Sequence, residues 1–222
     1  MTDLSKIAEN VICGRIDKNA AYPPAKKGED GVKELVAQAI SEGIKPQDIL
    51  NNGLIAGMEV IGARFKANEV YVPEVLIAAR AMKAGMELIK PLLSAGGIEP
   101  IGKFVIGTIK GDLHDIGKNL VAMMAEGAGL HVVDLGVDVS AEKFADNVKG
   151  DPKAVIGMSA LLTTTMANMK TAIESIRQSG LKNPIIIGGA PVTQGYADEI
   201  GADGYAPDAA TAVDVIKQLI NS

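Results

Sequence analysis

The hydrophobic rhythm of the chain changes near residue 95. Upstream, apolar positions recur three and four apart, the spacing of one helix face. Leu4, Ile7, Val11 and Ile12 mark a first helix, and Val32, Leu35, Val36, Ala39 and Ile40 a second that Gly43 closes. The Tyr22-Pro23-Pro24 break and a charged turn over 26–30 separate the two. Pro46 opens a third helix carrying Ile49, Leu50, Leu54, Met58 and Ile61, with Asp48 in its first turn. Pro73 opens a fourth, with Val75, Leu76, Ala79, Met82, Met86 and Ile89 in register, and Pro91 is expected to disturb its end. Short connections between four helices predict a small antiparallel bundle over residues 1–95. Gly96-Gly97-Ile98-Glu99-Pro100 reads as the linker to a second domain, 101–222.

Downstream, short apolar runs alternate with helical stretches. Phe104–Ile109, His131–Leu135, Ala154–Met158, Ile185–Ile187 and Gly204-Tyr205-Ala206 read as strands. Helices are expected over Gly117–Glu126, Ala141–Val148, Met166–Arg177, Val192–Ile200 and Asp208–Leu219. Near-continuous apolar strands separated by helices predict an α/β domain whose parallel sheet is covered on both faces. Such sheets bind ligands beyond the carboxyl ends of their strands.

Candidate chemistry gathers at those ends. The first strand runs into Gly111-Asp112-Leu113-His114-Asp115-Ile116-Gly117, which sets an imidazole two residues past a carboxylate. A carboxylate that takes the proton of one ring nitrogen leaves the other nitrogen free for a metal. Alone, the stretch reads equally well as a loop with a surface histidine. The third strand ends in Ser159-Ala160-Leu161-Leu162-Thr163-Thr164-Thr165, with more hydroxyls than one helix cap needs. The fourth ends in Gly188-Gly189, where absent side chains would let a large ligand approach the backbone.

Composition narrows the function classes. The 222 residues are 47% hydrophobic and 22% charged, a globular balance. A net charge of −5 without basic runs argues against nucleic acid as a partner. No apolar stretch reaches the length of a membrane span, and the first residues lack a signal-peptide layout. A single cysteine, Cys13, allows no intrachain disulfide and suits a reducing cytoplasm. His131, Asp134, Asp138 and the methionine pairs read as structural or turn residues.

Asp112-x-His114-x-x-Gly117, then 41 residues, then Ser159-x-Leu161, then 26 residues, then Gly188-Gly189 resembles the pattern of B12-binding domains. Residues 65–74, Phe-Lys-Ala-Asn-Glu-Val-Tyr-Val-Pro-Glu, look like the helical cap that precedes this domain in cobalamin-dependent methionine synthase. The whole chain resembles corrinoid proteins of methyltransferase systems, least clearly over its first thirty or so residues. The resemblance implies a flavodoxin-like, Rossmann-like domain that binds cobalamin or a related corrinoid with its own base displaced from cobalt. His114 would replace that base as the cobalt ligand.

The resemblance also assigns roles residue by residue. Gly111, Asp112, Leu113, Asp115, Gly117, Ser159, Leu161, Thr163, Gly188, Gly189 and Ala209 would line the cofactor and its nucleotide slot. His114, Asp112 and a hydroxyl residue would form a ligand triad, the third member falling on Thr165. The triad would couple protonation to the Co(I)/methyl-Co(III) cycle, with His114 released and the His–Asp pair protonated at Co(I). Phe65 and Val72 would cover the reactive face, valine standing where the family has leucine.

Such a protein is no enzyme in isolation; it is a cofactor-carrying subunit. Its implied partners are a substrate-specific methyltransferase, a second methyltransferase acting on tetrahydrofolate or a thiol, and a reductive activase. A radical mutase subunit would need a barrel, for which the chain has no pattern. The remaining alternative is a B12-based sensor. It is disfavoured because few, weakly basic residues precede the bundle and the chain has no tryptophan.

Overall fold

A computed structural model describes residues 2–97 and 99–222. It divides into two compact units, Met1–Glu99 with Gly127–Gly129 and Pro100–Glu126 with Leu130–Ser222. Ile98, within the expected linker, lies outside the described residues.

The first unit is helical: α1 (Leu4–Ile12), α2 (Val32–Ser41), α3 (Pro46–Ile49), α4 (Ala56–Lys66) and α5 (Val72–Ala95). Local chemistry sets their starts. The Asp3 carboxylate accepts the Ser5 N–H at 2.9 Å, and Glu74 reaches back to the Tyr71 N–H at 3.1 Å. The third expected helix is continuous but not uniform. A π-helical segment, Leu50–Ile55, joins α3 to α4. Its wider turn advances the apolar stripe, so that Ile49, Leu50, Leu54, Ile55, Met58 and Ile61 are all buried. Pro91 does not disturb α5, which runs on to Ala95. The carbonyl four residues before it belongs to Glu87, an exposed residue, so water can take the place of the missing donor. The expected cap residues lie here, Phe65 in the last turn of α4 and Val72 at the first position of α5, both half-buried.

The second unit alternates β1 (Lys103–Thr108), α6 (Ile116–Gly127), β2 (His131–Asp134), α7 (Ala141–Val148), β3 (Val155–Ser159), α8 (Thr163–Gln178), β4 (Ile185–Gly188), α9 (Gln194–Ile200), β5 (Gly204–Ala206) and α10 (Ala209–Ile220). All pairings are parallel and the strand order is β2-β1-β3-β4-β5. This is the flavodoxin-like order, whose switch point lies between β1 and β3. The central strands are buried on both faces, as their unbroken apolar runs require. Phe144, Ile156, Met169 and Ile176 are almost wholly buried in the core over one face. Burying such side chains contributes about 1.5–3 kcal/mol each and fixes the sheet on which the strand-end loops sit.

Candidate cofactor site at the carboxyl edge of the sheet

The β1–α6 turn, the β3–α8 turn and the β4–α9 turn come together where the strand order reverses. Asp112, fully buried, joins the first two, and the third lies against Ala160 of the second. Its Oδ1 accepts the His114 N–H at 3.0 Å and faces His114 Nδ1 at 2.8 Å. Its Oδ2 accepts the Leu161 N–H at 2.8 Å and the Thr165 hydroxyl at 2.6 Å. Burial pushes the Asp112 pKa up. The hydrogen bonds from Thr165, Leu161 and His114 outweigh it and hold the carboxyl well below the usual carboxylate range.

An ionised carboxylate can only accept. Nδ1 of His114 therefore carries a proton, so Nε2 is the nitrogen through which the neutral ring would bind a metal, on a side chain that is 52% exposed. Thr165 has one hydroxyl proton and two acceptors in reach, Asp112 Oδ2 and the Leu162 carbonyl at 3.0 Å. The shorter contact to the charged oxygen takes it.

The backbone around His114 is fastened from below. Thr108, buried at the end of β1, donates its hydroxyl to the His114 carbonyl at 2.8 Å. Asp115 accepts from Asn119 Nδ2 at 3.0 Å, and Asn119 accepts from the buried Lys118, whose ammonium also pairs with Asp134. Asp134, expected as a turn residue, closes β2 and holds this cation.

The other expected residues take varied positions. Ser159 ends β3, and its carbonyl accepts the Ile109 N–H at 2.9 Å. Thr163 is the exposed first residue of α8, and Ala209 the buried first residue of α10. Gly111 is exposed on the β1–α6 turn, and Gly117 is exposed in the first turn of α6. The paired glycines have a reason internal to the protein. A Cβ on Gly188 would lie 3.0 Å from the Ala206 carbonyl oxygen, and one on Gly189 only 1.8 Å from that of Ala160. Phe65 and Val72 belong to the helical unit.

Thr108 was not among the sequence candidates, nor was Lys118. A polar residue closing an apolar strand, as Thr108 does, is the signal that could have marked it. Four large apolar side chains also stand exposed along this edge: Leu113, Ile116, Leu161 and Leu162. Among the described residues no group of three or more His, Cys, Asp or Glu could hold a metal ion, and no helix is long and apolar enough to cross a membrane.

Comparison with known proteins agrees with this geometry. A B12 binding domain model matches residues 102–214, and a second B12 binding domain model matches residues 28–90. A corrinoid protein of Desulfitobacterium hafniense is 41% identical over 197 residues, covering 86% of this chain and 91% of that protein. Trimethylamine corrinoid protein 2 of Methanosarcina acetivorans is 41% identical over 198 residues, covering 87% of this chain and 91% of its own. Among solved structures, the methanol:cobalamin methyltransferase complex of Methanosarcina barkeri matches with a TM-score of 0.82 and 29% identity, over 99% of this chain and 80% of that one.

Proposed function

The chain belongs to the B12-binding family of corrinoid proteins, and from that premise we propose that it carries a methyl group on a corrinoid held through His114. The observation that carries the reading is the half-exposed imidazole whose Nδ1 is engaged by a buried, ionised Asp112, leaving Nε2 as a free donor. One imidazole is a poor site for a bare ion, which needs about four protein or water ligands. It would suit a metal already held by a macrocycle, to which the chain adds one ligand. The exposed Leu113, Ile116, Leu161 and Leu162 fit the same group, since a corrin ring would cover apolar surface that otherwise faces water.

The corrinoid supplies the chemistry, a cobalt that accepts and releases a methyl group. The chain supplies orientation and proton control. Asp112 fixes the tautomer and raises the donor strength of Nε2. Thr165 and the Leu161 amide hold the Asp112 charge in place, so the pair is built before the cofactor arrives. His114 would hold the metal through Nε2, with Asp112 keeping the Nδ1 proton in place. The proposed partners are a methyltransferase that charges the carrier, a second that discharges it to tetrahydrofolate or a thiol, and a reductive activase. Phe65 and Val72 are proposed to shield the reactive face.

The test is spectroscopic. Protein reconstituted with hydroxocobalamin should give the absorption of imidazole-ligated cobalt, and His114→Ala should lose it. An unaltered spectrum in the variant would assign the ligand elsewhere.

A further inference from the structure

Asp138 lies in the β2–α7 turn with φ +54°, one of two non-glycine residues with positive φ among those described. From sequence it reads as an ordinary turn residue. The turn runs beside the end of β1: the Thr108 N–H donates to the Gly136 carbonyl at 3.0 Å, and the Val139 N–H to the Thr108 carbonyl at 2.9 Å. A parallel bridge joins Ile109 to Val139. Between these contacts Asp138 grips the next turn twice. Its Oδ1 accepts the Gly111 N–H at 2.7 Å, and its own N–H donates to the Asp112 carbonyl at 3.1 Å.

We propose that Asp138 is a positioning residue for corrinoid binding, holding the Gly111–Asp112 backbone so that the Asp112 carboxylate meets His114 before any cofactor is present. Thr165 and Leu161 fix that carboxylate from the β3–α8 side, and Asp138 fixes its backbone from the β2–α7 side. Gly111 stands at φ +85°, so the peptide ahead of Asp112 needs an external hold to keep one orientation. Asp suits the post on two counts. It tolerates the left-handed region better than most residues, and its charge strengthens the bond from Gly111. The inference rests on the reading of His114 as the cobalt ligand.

The test uses the full chain with Asp138→Gly, Asp138→Asn and Asp138→Ala. Glycine accepts the positive φ but removes the carboxylate; asparagine keeps both the backbone and an acceptor oxygen. In the apoprotein, NMR amide exchange at Gly111 should accelerate in the glycine variant and stay near wild type in the asparagine variant. Hydroxocobalamin should bind roughly tenfold more weakly to the glycine variant, the equivalent of one lost charge-assisted bond. The asparagine variant should stay within about threefold, and alanine should match or exceed glycine because it adds left-handed strain. Wild-type affinity in the glycine variant, or equal losses in glycine and asparagine, would overturn the proposal. The apoprotein exchange does not depend on the ligand. A wild-type spectrum without imidazole ligation would therefore refute the proposed function while leaving the Gly111 result to judge Asp138.

Discussion

Replacing Thr165 by Val tests whether the buried carboxylate, and not the imidazole alone, organises the site. Valine keeps the branched shape and removes only the hydroxyl. Thr165 is 7% exposed, so no bulk water replaces the lost donor. Asp112 Oδ2 would then keep the Leu161 N–H at 2.8 Å and a weak contact to the Leu162 N–H at 3.4 Å. A hydrogen bond to a charged group contributes about 1.5–3 kcal/mol, so apoprotein stability should fall by about that amount in the α/β unit. The loss must depend on pH. Hydrogen bonding lowers the Asp112 pKa in the folded state, so its contribution is present above the unfolded value, about 3.9, and fades as pH falls through the folded value. The gap between wild type and Thr165→Val should therefore be full at neutral pH and narrow only in acid, as pH falls through the variant's own folded Asp112 pKa toward the lower wild-type value. Denaturant titration of the apoprotein across pH reads both effects, with Thr165→Ser as the rescue that restores the hydroxyl. A valine variant as stable as wild type at pH 7, or a gap that widens in acid, would refute the reasoning.

Two further perturbations probe neighbouring parts of the design. Thr108→Val removes a donor to a neutral carbonyl and should cost only about 0.5–1.5 kcal/mol, while amide exchange around His114 accelerates; a loss as large as that of Thr165→Val would mean that the charge on Asp112 is not what ranks the two sites. On the proposed carrier function, crosslinking the helical unit to the α/β unit should leave corrinoid bound but abolish methyl transfer, because the proposed partner enzymes would have to reach the metal. Unimpaired turnover by the crosslinked protein would end that argument.

The strand-end turns were legible because the α/β rhythm fixes where loops fall, and a loop at a switch point carries chemistry more readily than one elsewhere. His114 and Asp112 stood out as a metal-type donor and a nearby carboxylate, and the stretch over 159–165 as an excess of hydroxyls, within which only the resemblance to B12-binding domains pointed to Thr165. Thr108, Lys118 and Asp138 did not, for one shared reason. Each acts through a partner distant in sequence or through a backbone atom, and neither spacing nor periodicity encodes such contacts. Asp138 illustrates it best: its partner at Gly111 is 27 residues away, in the turn after β1, while Asp138 itself lies in the turn after the neighbouring β2. The π-helical joint between α3 and α4 was hidden differently, since an apolar stripe tolerates one extra residue without losing its look.

Gly189 shows how such contacts reach the site. Its φ is +126°, and a Cβ there would stand 1.8 Å from the Ala160 carbonyl oxygen, so Gly189→Ala adds a collision to the backbone strain. Gly150, at φ +81° with nothing within 4 Å of a built Cβ, supplies the control for strain alone. Gly150→Ala should cost about 1–2 kcal/mol. Gly189→Ala should exceed it by roughly 2 kcal/mol or more, since Ala160 must move. That displacement is not local. The Ala160 N–H donates to the Gly188 carbonyl at 3.2 Å, and the next residue, Leu161, gives its N–H to Asp112 Oδ2. Pushing Ala160 away therefore withdraws a donor from the carboxylate that faces His114. Thermal melting of the apoprotein should separate the two variants in stability, and hydroxocobalamin titration should separate them again, with weakened binding only in Gly189→Ala. Equal melting losses would remove the collision from the argument. Unequal melting with equal affinity would mean that the β3–α8 turn yields without disturbing Asp112.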